Sequence, residues 1–155
     1  STFMIRQLQP WHENISKRQV KSPKIYFRDS GIFHGLMNVE KMEDLILHPK
    51  LGASWEGFAL EEVIRVLEVV PEDCYFWATH AHAELDLLVF KKGKKLGFEF
   101  KYTQQPKVTK SMRSALSDLN LSRLTIVYPG EKQYQLDESV FVLGLKIPPE
   151  EWFKI

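Results

Sequence analysis

Three ionisable residues lie inside two strand-like apolar runs, at a spacing that suits metal-assisted hydrolysis. Asp86 lies in ELDLLVF, and Glu99 follows thirteen residues later in GFEFKY, two positions before Lys101. A carboxylate inside a strand core is costly to bury unless it has a partner or binds a metal. An acid followed by acid-x-Lys therefore predicts two carboxylates that hold a divalent cation, with a lysine beside the bound water and the scissile phosphate.

Side-chain alternation along each strand predicts which of these residues share a face. One face of the first strand is predicted to carry Glu84, Asp86, Leu88 and Phe90, and the other Leu85, Leu87 and Val89. A hairpin then brings Asp86 beside Glu99, and each carboxylate raises the pKa of the other unless Mg²⁺ or Mn²⁺ lies between them. For acid-x-Lys alone, the alternative is a solvent-facing strand pair with salt bridges.

A third acid, Glu56, lies on the clearest predicted helix, Ser54–Val69, with Ser54 as N-cap and Pro71 beyond its end. The predicted apolar sector of this helix consists of Trp55, Phe58, Ala59, Val63, Ile64, Val66 and Leu67. Glu61 falls almost opposite the centre of the sector and Glu62 at its edge, so both are predicted to be surface acids. Glu56 falls about 30–40° from the centre and faces inward. Its alternative is an edge glutamate that reaches solvent or a lysine.

The elements that must position these residues follow in the order helix, three strands, helix, strand. The strands are predicted at Tyr75–Thr79, Leu85–Phe90, Leu96–Tyr102 and Leu124–Tyr128, and the second helix at Thr109–Leu121. Further strands are predicted at Lys24–Arg28 and Val140–Leu145, short helices at 29–37 and 39–47, and a terminal helix from Pro148. This order predicts an α/β (α+β) fold in which helices flank a central mixed sheet.

Composition is that of one soluble domain. The chain has 155 residues, of which 44% are hydrophobic and 26% charged, and its net charge is +1. The charge is uneven, because residues 91–113 hold eight Lys or Arg and a single acid, Glu99. A single cysteine, Cys74, excludes a disulfide framework and predicts a reducing, cytoplasmic setting. No apolar run is long enough to predict a membrane helix.

The set Glu56, Asp86 and Glu99-Phe100-Lys101 resembles the PD-(D/E)xK nuclease superfamily. More specifically, the chain resembles the C-terminal domain, of unknown function, of a bacterial and archaeal family of AAA-type ATPases. The stretches that carry this resemblance are LQPWHEN, KSPKIYFRDSGIFHGLM, HPKLGASWEGFALEEVI, THAHAELDLLVF, GFEFKYT and TKSMRSALSDLNL.

The resemblance implies a restriction-endonuclease-like core over residues 23–155, with residues 1–22 as the end of a preceding linker or winged-helix region. It implies metal ligation by Asp86, Glu99, the backbone carbonyl of Phe100 and Glu56, and a catalytic role for Lys101. The implied cofactor is Mg²⁺ or Mn²⁺, and the implied partners are DNA and an N-terminal ATPase domain. ATP would bind only in that N-terminal part. The oligomeric state, including a homo-oligomer, stays open.

Other patterns leave alternatives open. His80, His82, Glu84 and Asp86 would form one face of an extended chain, which is conceivable as a zinc site, and Glu84 would otherwise support the metal ligands. Lys107, Lys110 and Arg113 recur every three residues and are interpreted either as phosphate contacts or as a solvated stripe.

The expected function is a Mg²⁺- or Mn²⁺-dependent deoxyribonuclease. The alternatives are a silent module that docks DNA or protein and an oligomerisation domain.

Overall fold

A computed structural model describes residues 5–28 and 51–153, and the helices predicted at 29–37 and 39–47 lie outside the described residues. Eight strands form one mixed sheet in the order β2-β1-β3-β4-β5-β6-β8-β7. The strands are β1 Ile5–Pro10, β2 Lys24–Phe27, β3 Cys74–Ala78, β4 Glu84–Lys91, β5 Lys94–Phe100, β6 Arg123–Tyr128, β7 Gln133–Gln135 and β8 Val140–Gly144. Parallel pairs join β1 to β3, β5 to β6 and β6 to β8, and the other pairs are antiparallel.

Two α-helices lie within the described ranges, α1 at Leu51–Leu67 and α2 at Lys110–Asp118. Short 3-10 turns occur at Pro71–Asp73 and Pro149–Glu151. The Thr109 side chain caps α2 by accepting a hydrogen bond from the amide of Met112. The mixed α/β fold with helices beside a central sheet is confirmed. Each strand and each of the two longer helices predicted in the described part of the chain is present, with its ends shifted by at most three residues, whereas the terminal helix predicted from Pro148 is only a 3-10 turn.

Each helix packs on its own face of the sheet. The first layer of core joins α1 to side chains of the central strands: Leu60, Val63, Leu67, Leu87, Val89, Phe98, Phe100, Val127 and Leu143. The second layer joins α2 to the opposite side chains of the same strands: Met112, Ala115, Leu119, Leu85, Leu88, Leu124, Ile126, Val140 and Val142. The sheet is buried on both faces at β4, β5 and β6, which is why these strands have long apolar runs.

The buried face of α1 differs from its predicted sector. Leu60 is fully buried although it was left out of that sector, and Phe58 is 45% exposed although it was included. Glu61 is not a plain surface acid, because its carboxylate pairs with the buried guanidinium of Arg6 on β1, with Nη2 and Oε2 3.1 Å apart. Ser54 lies inside α1 and not at its start, so the N-cap prediction for Ser54 is wrong.

The β4–β5 hairpin sets the register of the candidate site. It closes through Lys92 and Gly93, whose φ angles of 51° and 75° fit a two-residue type I′ turn. The ladder runs from Lys91↔Lys94 to Leu87↔Phe98. One further step places Asp86 opposite Glu99, as the hairpin argument predicts.

A bulge in β4 at Asp86 alters the predicted alternation. The pairing of β4 with β3 shifts by one residue between Tyr75↔Leu88 and Trp77↔Leu85. As a result Leu85 and Leu88, three residues apart, pack on the α2 face, whereas Leu87 packs on the α1 face. The prediction that Leu85 shares a face with Leu87 is therefore wrong, because a bulge inserts one extra residue and reverses the alternation beyond it.

The first described strand belongs to the same sheet as the rest. Gln9 and Pro10 of β1 pair in parallel with Tyr75 and Phe76 of β3. The strand thus lies in the segment that the sequence assigns to a preceding region, yet it is a structural part of the sheet. Among the described helices, none has the length and apolar character needed to cross a bilayer.

Candidate metal centre and catalytic site

The candidate site lies where β4 and β5 separate, at the end of the sheet opposite the hairpin turn. The Asp86 side chain enters the gap, and its Oδ2 accepts a hydrogen bond of 2.9 Å from the backbone amide of Phe100. The amide and carbonyl of one strand residue point toward the same neighbouring strand. The Phe100 carbonyl therefore points to the side of β5 on which Asp86 lies. The bulge at Asp86 is what directs this carboxylate toward β5 rather than fully onto either face.

Glu99 is the most electrostatically unusual residue of the site. It is 2% exposed, and its Oε1 accepts no hydrogen bond from the described residues. Burial raises the pKa of the Glu99 carboxyl to about 10, and the charge and hydrogen bond of the neighbouring Asp86 raise it in the same direction. Asp86 and Glu99 thus place two buried carboxyl groups side by side. A cation bound between them would relieve the repulsion between their charges.

Lys101 provides the nearest positive charge. Its Nζ lies 3.5 Å from Glu99 Oε2, and the side chain is 42% exposed, so the ammonium is near the mouth of the site. Burial lowers the pKa of Lys101, but the carboxylates of Glu99 and Asp86 together raise it by more, so its pKa lies above the ordinary value. Lys101 is therefore a charged donor, suited to contact an anionic substrate and not to act as a neutral base.

Glu56 faces inward from α1, as predicted, and has a partner that the sequence did not indicate. The hydroxyl of Tyr26 on β2 donates a hydrogen bond of 2.8 Å to Glu56 Oε1. Burial raises the pKa of Glu56 and the charge of Asp86 raises it further, whereas Tyr26 and Lys24 lower it in part. Burial also raises the pKa of Tyr26 above its ordinary value, and the charges of Glu56 and Asp86 raise it further. Tyr26 is the residue of the site that sequence reasoning missed, because only the sheet brings β2 to this helix.

The oxygen atoms of the site are of the type that a hard divalent cation binds, but they do not make a complete set of side-chain ligands. Carboxylate and carbonyl oxygens are the ligands that Mg²⁺ and Mn²⁺ take, and Asp86, Glu99 and the Phe100 carbonyl supply them. The unpaired Glu99 oxygen is the observation that favours a cation here. Among the described residues, however, no three His, Cys, Asp or Glu side chains form a group that could hold a metal. Glu56 is close enough to respond to Asp86 electrostatically, but it does not complete a three-residue ligand group.

The other candidates are placed apart from this arrangement. His80 and His82 are exposed in the turn before β4, so the extended chain on which the zinc alternative depends is absent. Glu84 is exposed, but its charge raises the pKa values of Glu56 and Glu99, so it acts on the site electrostatically. Arg113 pairs with Asp137, which removes it from a stripe of free phosphate contacts.

Comparisons with known proteins give a family without an assigned function. A family model described as a domain of unknown function (DUF4143) matches residues 51–147, and a second domain of unknown function (DUF8612) matches residues 1–43. Uncharacterized proteins of Mycobacterium bovis and Mycobacterium tuberculosis are each 51% identical over 138 residues. That alignment covers 89% of this chain but 31% of each relative, so the chain spans about a third of their length. No solved structure matches the chain.

Proposed function

The chain belongs to the DUF4143 family of domains of unknown function, and we propose that it is a metal-dependent nuclease domain that hydrolyses phosphodiester bonds in DNA. One observation carries the proposal: the buried carboxyl pair of Asp86 and Glu99 has an unsatisfied oxygen, and the ammonium of Lys101 lies beside it. A pair of this kind is unfavourable in the free protein, which is typical of a site that awaits a ligand.

The side chains divide the chemistry between them. Asp86, Glu99 and the Phe100 carbonyl would hold Mg²⁺ or Mn²⁺, with Glu56 next to them. When bound, such an ion lowers the pKa of a water and offsets negative charge on the phosphate. Lys101 donates from the open side of the site, where it binds a phosphate oxygen and stabilises the charge that develops there. The Tyr26 hydroxyl fixes the orientation of the Glu56 carboxylate through their hydrogen bond.

We also propose that this domain follows an AAA-type ATPase in a longer protein, and that its core belongs to the PD-(D/E)xK nuclease superfamily. The relatives are about three times as long as the matched segment, which leaves room for such an ATPase. Any ATP binding would then lie outside the described chain. The central sheet with α1 beside the acids and α2 on the opposite face agrees with the helix, three strands, helix and strand order of that superfamily.

A second function has its own supporting observation. The acids do not form a three-residue ligand group, and Glu56 is already engaged by Tyr26. An incomplete ligand group of this kind is expected in a site that no longer binds a metal. Such a domain would dock DNA or a protein for the ATPase without cutting. The fold by itself favours neither function.

The test is cleavage of end-labelled single- and double-stranded DNA with Mg²⁺, with Mn²⁺ and with a chelator. The variants Asp86→Asn, Glu99→Gln and Lys101→Met remove the acids and the lysine one at a time. We expect metal-dependent cleavage that falls at least about 100-fold in each variant. Lys94→Met is the matched control, because Lys94 is an exposed lysine at the other end of β5.

Calorimetry with Mn²⁺ separates the two functions. A nuclease binds Mn²⁺, and Asp86→Asn abolishes the binding. A chain that binds DNA but neither binds Mn²⁺ nor cleaves is a docking module, and the nuclease proposal then fails.

A further inference from the structure

A groove follows the loop after β5 and begins at Lys101, which lies beside the acid pair. Its first part is a cavity of about 530 Å³ lined by Lys101, Tyr102, Thr103, Gln105, Lys107 and Thr109. Its second part is a cavity of about 890 Å³ that shares Gln105 and extends over the turn after β6, past Lys132 and Lys146. We call the two cavities together the lysine groove.

The lysine groove carries a positive charge suited to a phosphate chain. Its first cavity has two lysines and no acid. The second has Lys132 and Lys146 and one acid, Glu131, which lies 3.8 Å from Lys146 in an exposed pair. Lysines that line a groove bind the phosphates of a nucleic-acid backbone without regard to base identity.

An exposed aromatic ring lies at the point where the groove meets the acids. Tyr102, the residue after Lys101, is 53% exposed. One side of its ring packs against Trp55 of α1, with ring centroids 5.9 Å apart and planes inclined by 59°. The backbone amide of Lys101 donates to the Val127 carbonyl at 2.9 Å, which ties the start of this loop to the sheet. A half-exposed ring that packs against Trp55 offers a fixed surface on which a base can stack. Only a base that is not paired in a duplex can stack on such a ring.

The depth of the acids gives a second reason to favour one strand over two. Asp86 is 5% exposed and Glu99 is 2% exposed, so a phosphate has to enter the gap between β4 and β5 to reach them. A duplex presents its phosphates on a wide, stiff cylinder. A single strand is narrow and flexible enough to bring one phosphate inward while its neighbours stay on the lysines.

We infer that the nuclease site takes single-stranded DNA, whose phosphates bind Lys107 and Lys132 along the lysine groove while one base stacks on Tyr102. This inference rests on the proposed nuclease function for its catalytic meaning. In this arrangement the bound DNA strand lies along the lysine groove, from the acid pair across the loop after β5 to the turn after β6. Because Lys101 belongs to the catalytic set, the groove is tested through Tyr102 and Lys107.

The experiment is fluorescence anisotropy of a labelled oligothymidine of about 15 nucleotides and of a duplex of the same length, with chelator present. We expect tighter binding of the single strand. Tyr102→Ala should weaken it roughly 5- to 150-fold, and Tyr102→Phe should bind as the parent chain does, because it keeps the ring. Lys107→Ala should reduce the slope of log affinity against log salt by about 0.7, and the exposed Lys94→Ala at the opposite end of β5 should not.

Equal or tighter binding of the duplex, or full binding by Tyr102→Ala, would overturn the inference. Because binding is measured without metal, the outcome is separate from catalysis. Single-strand binding that depends on Tyr102 without any metal-dependent cleavage supports the groove and refutes the nuclease. Metal-dependent cleavage that prefers duplex DNA and is unchanged in Tyr102→Ala would support the nuclease and refute the groove.

Discussion

Replacing Glu99 with glutamine should stabilise the metal-free fold, and the gain should grow with pH. The pKa of Glu99 is about 10 in the fold against an ordinary 4.5. A carboxyl with a raised pKa contributes its full stability below pH 4.5 and loses it as pH rises toward 10, because the folded state must keep a proton that the unfolded chain releases. At about 1.4 kcal/mol per pH unit, the loss by pH 7 is roughly 3 kcal/mol. Glutamine keeps the shape and a donor toward Asp86 but needs no proton.

The assay is urea unfolding of the parent chain and Glu99→Gln from pH 4.5 to pH 8.5 in the presence of chelator. The two should have similar stability near pH 4.5. At pH 7 the variant should be more stable by about 3 kcal/mol, which for a chain of this size raises Tm by roughly 6–12 °C. Glu62→Gln is the matched control, because it removes a partly exposed acid of α1 that pairs with the exposed Arg65 and should change stability by less than about 0.5 kcal/mol.

A difference between parent and variant that stays constant across this pH range would refute the reasoning, since a raised pKa must produce a slope. A variant less stable than the parent at every pH would refute it too. That result would mean that the Glu99 carboxylate is already satisfied in the fold, contrary to its unpaired Oε1.

Three further outcomes follow from named contacts. Millimolar Mn²⁺ at about 100 times its Kd should raise the unfolding free energy by about 2.7 kcal/mol in the parent chain and not in Asp86→Asn, as read by thermal melting. Arg6→Met should cost about 1–3 kcal/mol by urea unfolding, because it removes the buried ion partner of the part-buried Glu61 and leaves that carboxylate to the more exposed Arg28, whose Nε lies 3.8 Å away; double replacement with Glu61→Gln should recover part of the loss. Gly97→Ala should cost about 1–3 kcal/mol by the same measurement, since the added Cβ would lie 2.6 Å from the Leu121 Cδ1, and an equally stable variant would show that Leu121 moves freely.

The strands of the site were predictable because their signal is local. Alternating or continuous apolar runs bounded by Lys92-Gly93 and by Pro129-Gly130 define β4, β5 and β6 without any tertiary information. The hairpin between β4 and β5 predicted Asp86 beside Glu99, and the two-residue turn at Lys92-Gly93 is what fixes the register that brings them together. The inward direction of Glu56 followed from helical periodicity in the same way.

What the sequence did not indicate depends on pairing between distant segments. The bulge at Asp86 is set by how β4 matches β3, and no local pattern marks it. The partners Tyr26 of Glu56 and Arg6 of Glu61 come from β2 and β1, which reach α1 only because the sheet places them beside β3. The helical wheel of α1 failed at Phe58 and Leu60 for a related reason, since it weighed hydrophobicity alone and had no knowledge of which side the strands cover.

The cost of keeping Glu99 bears on the choice between nuclease and docking module. A module that only binds a partner has no use for two carboxyl groups buried side by side, because a glutamine at position 99 would keep a hydrogen-bond donor toward Asp86 and remove the cost of holding a proton. A site that must hold a cation needs both charges, and the ion returns in binding energy what the free fold loses in stability. Residues that lower stability without a structural gain are typical of functional sites. The Asp86–Glu99 pair is such a case, whereas Glu61, paired with Arg6, is not. The acid pair therefore favours a function that requires charge at the separated ends of β4 and β5.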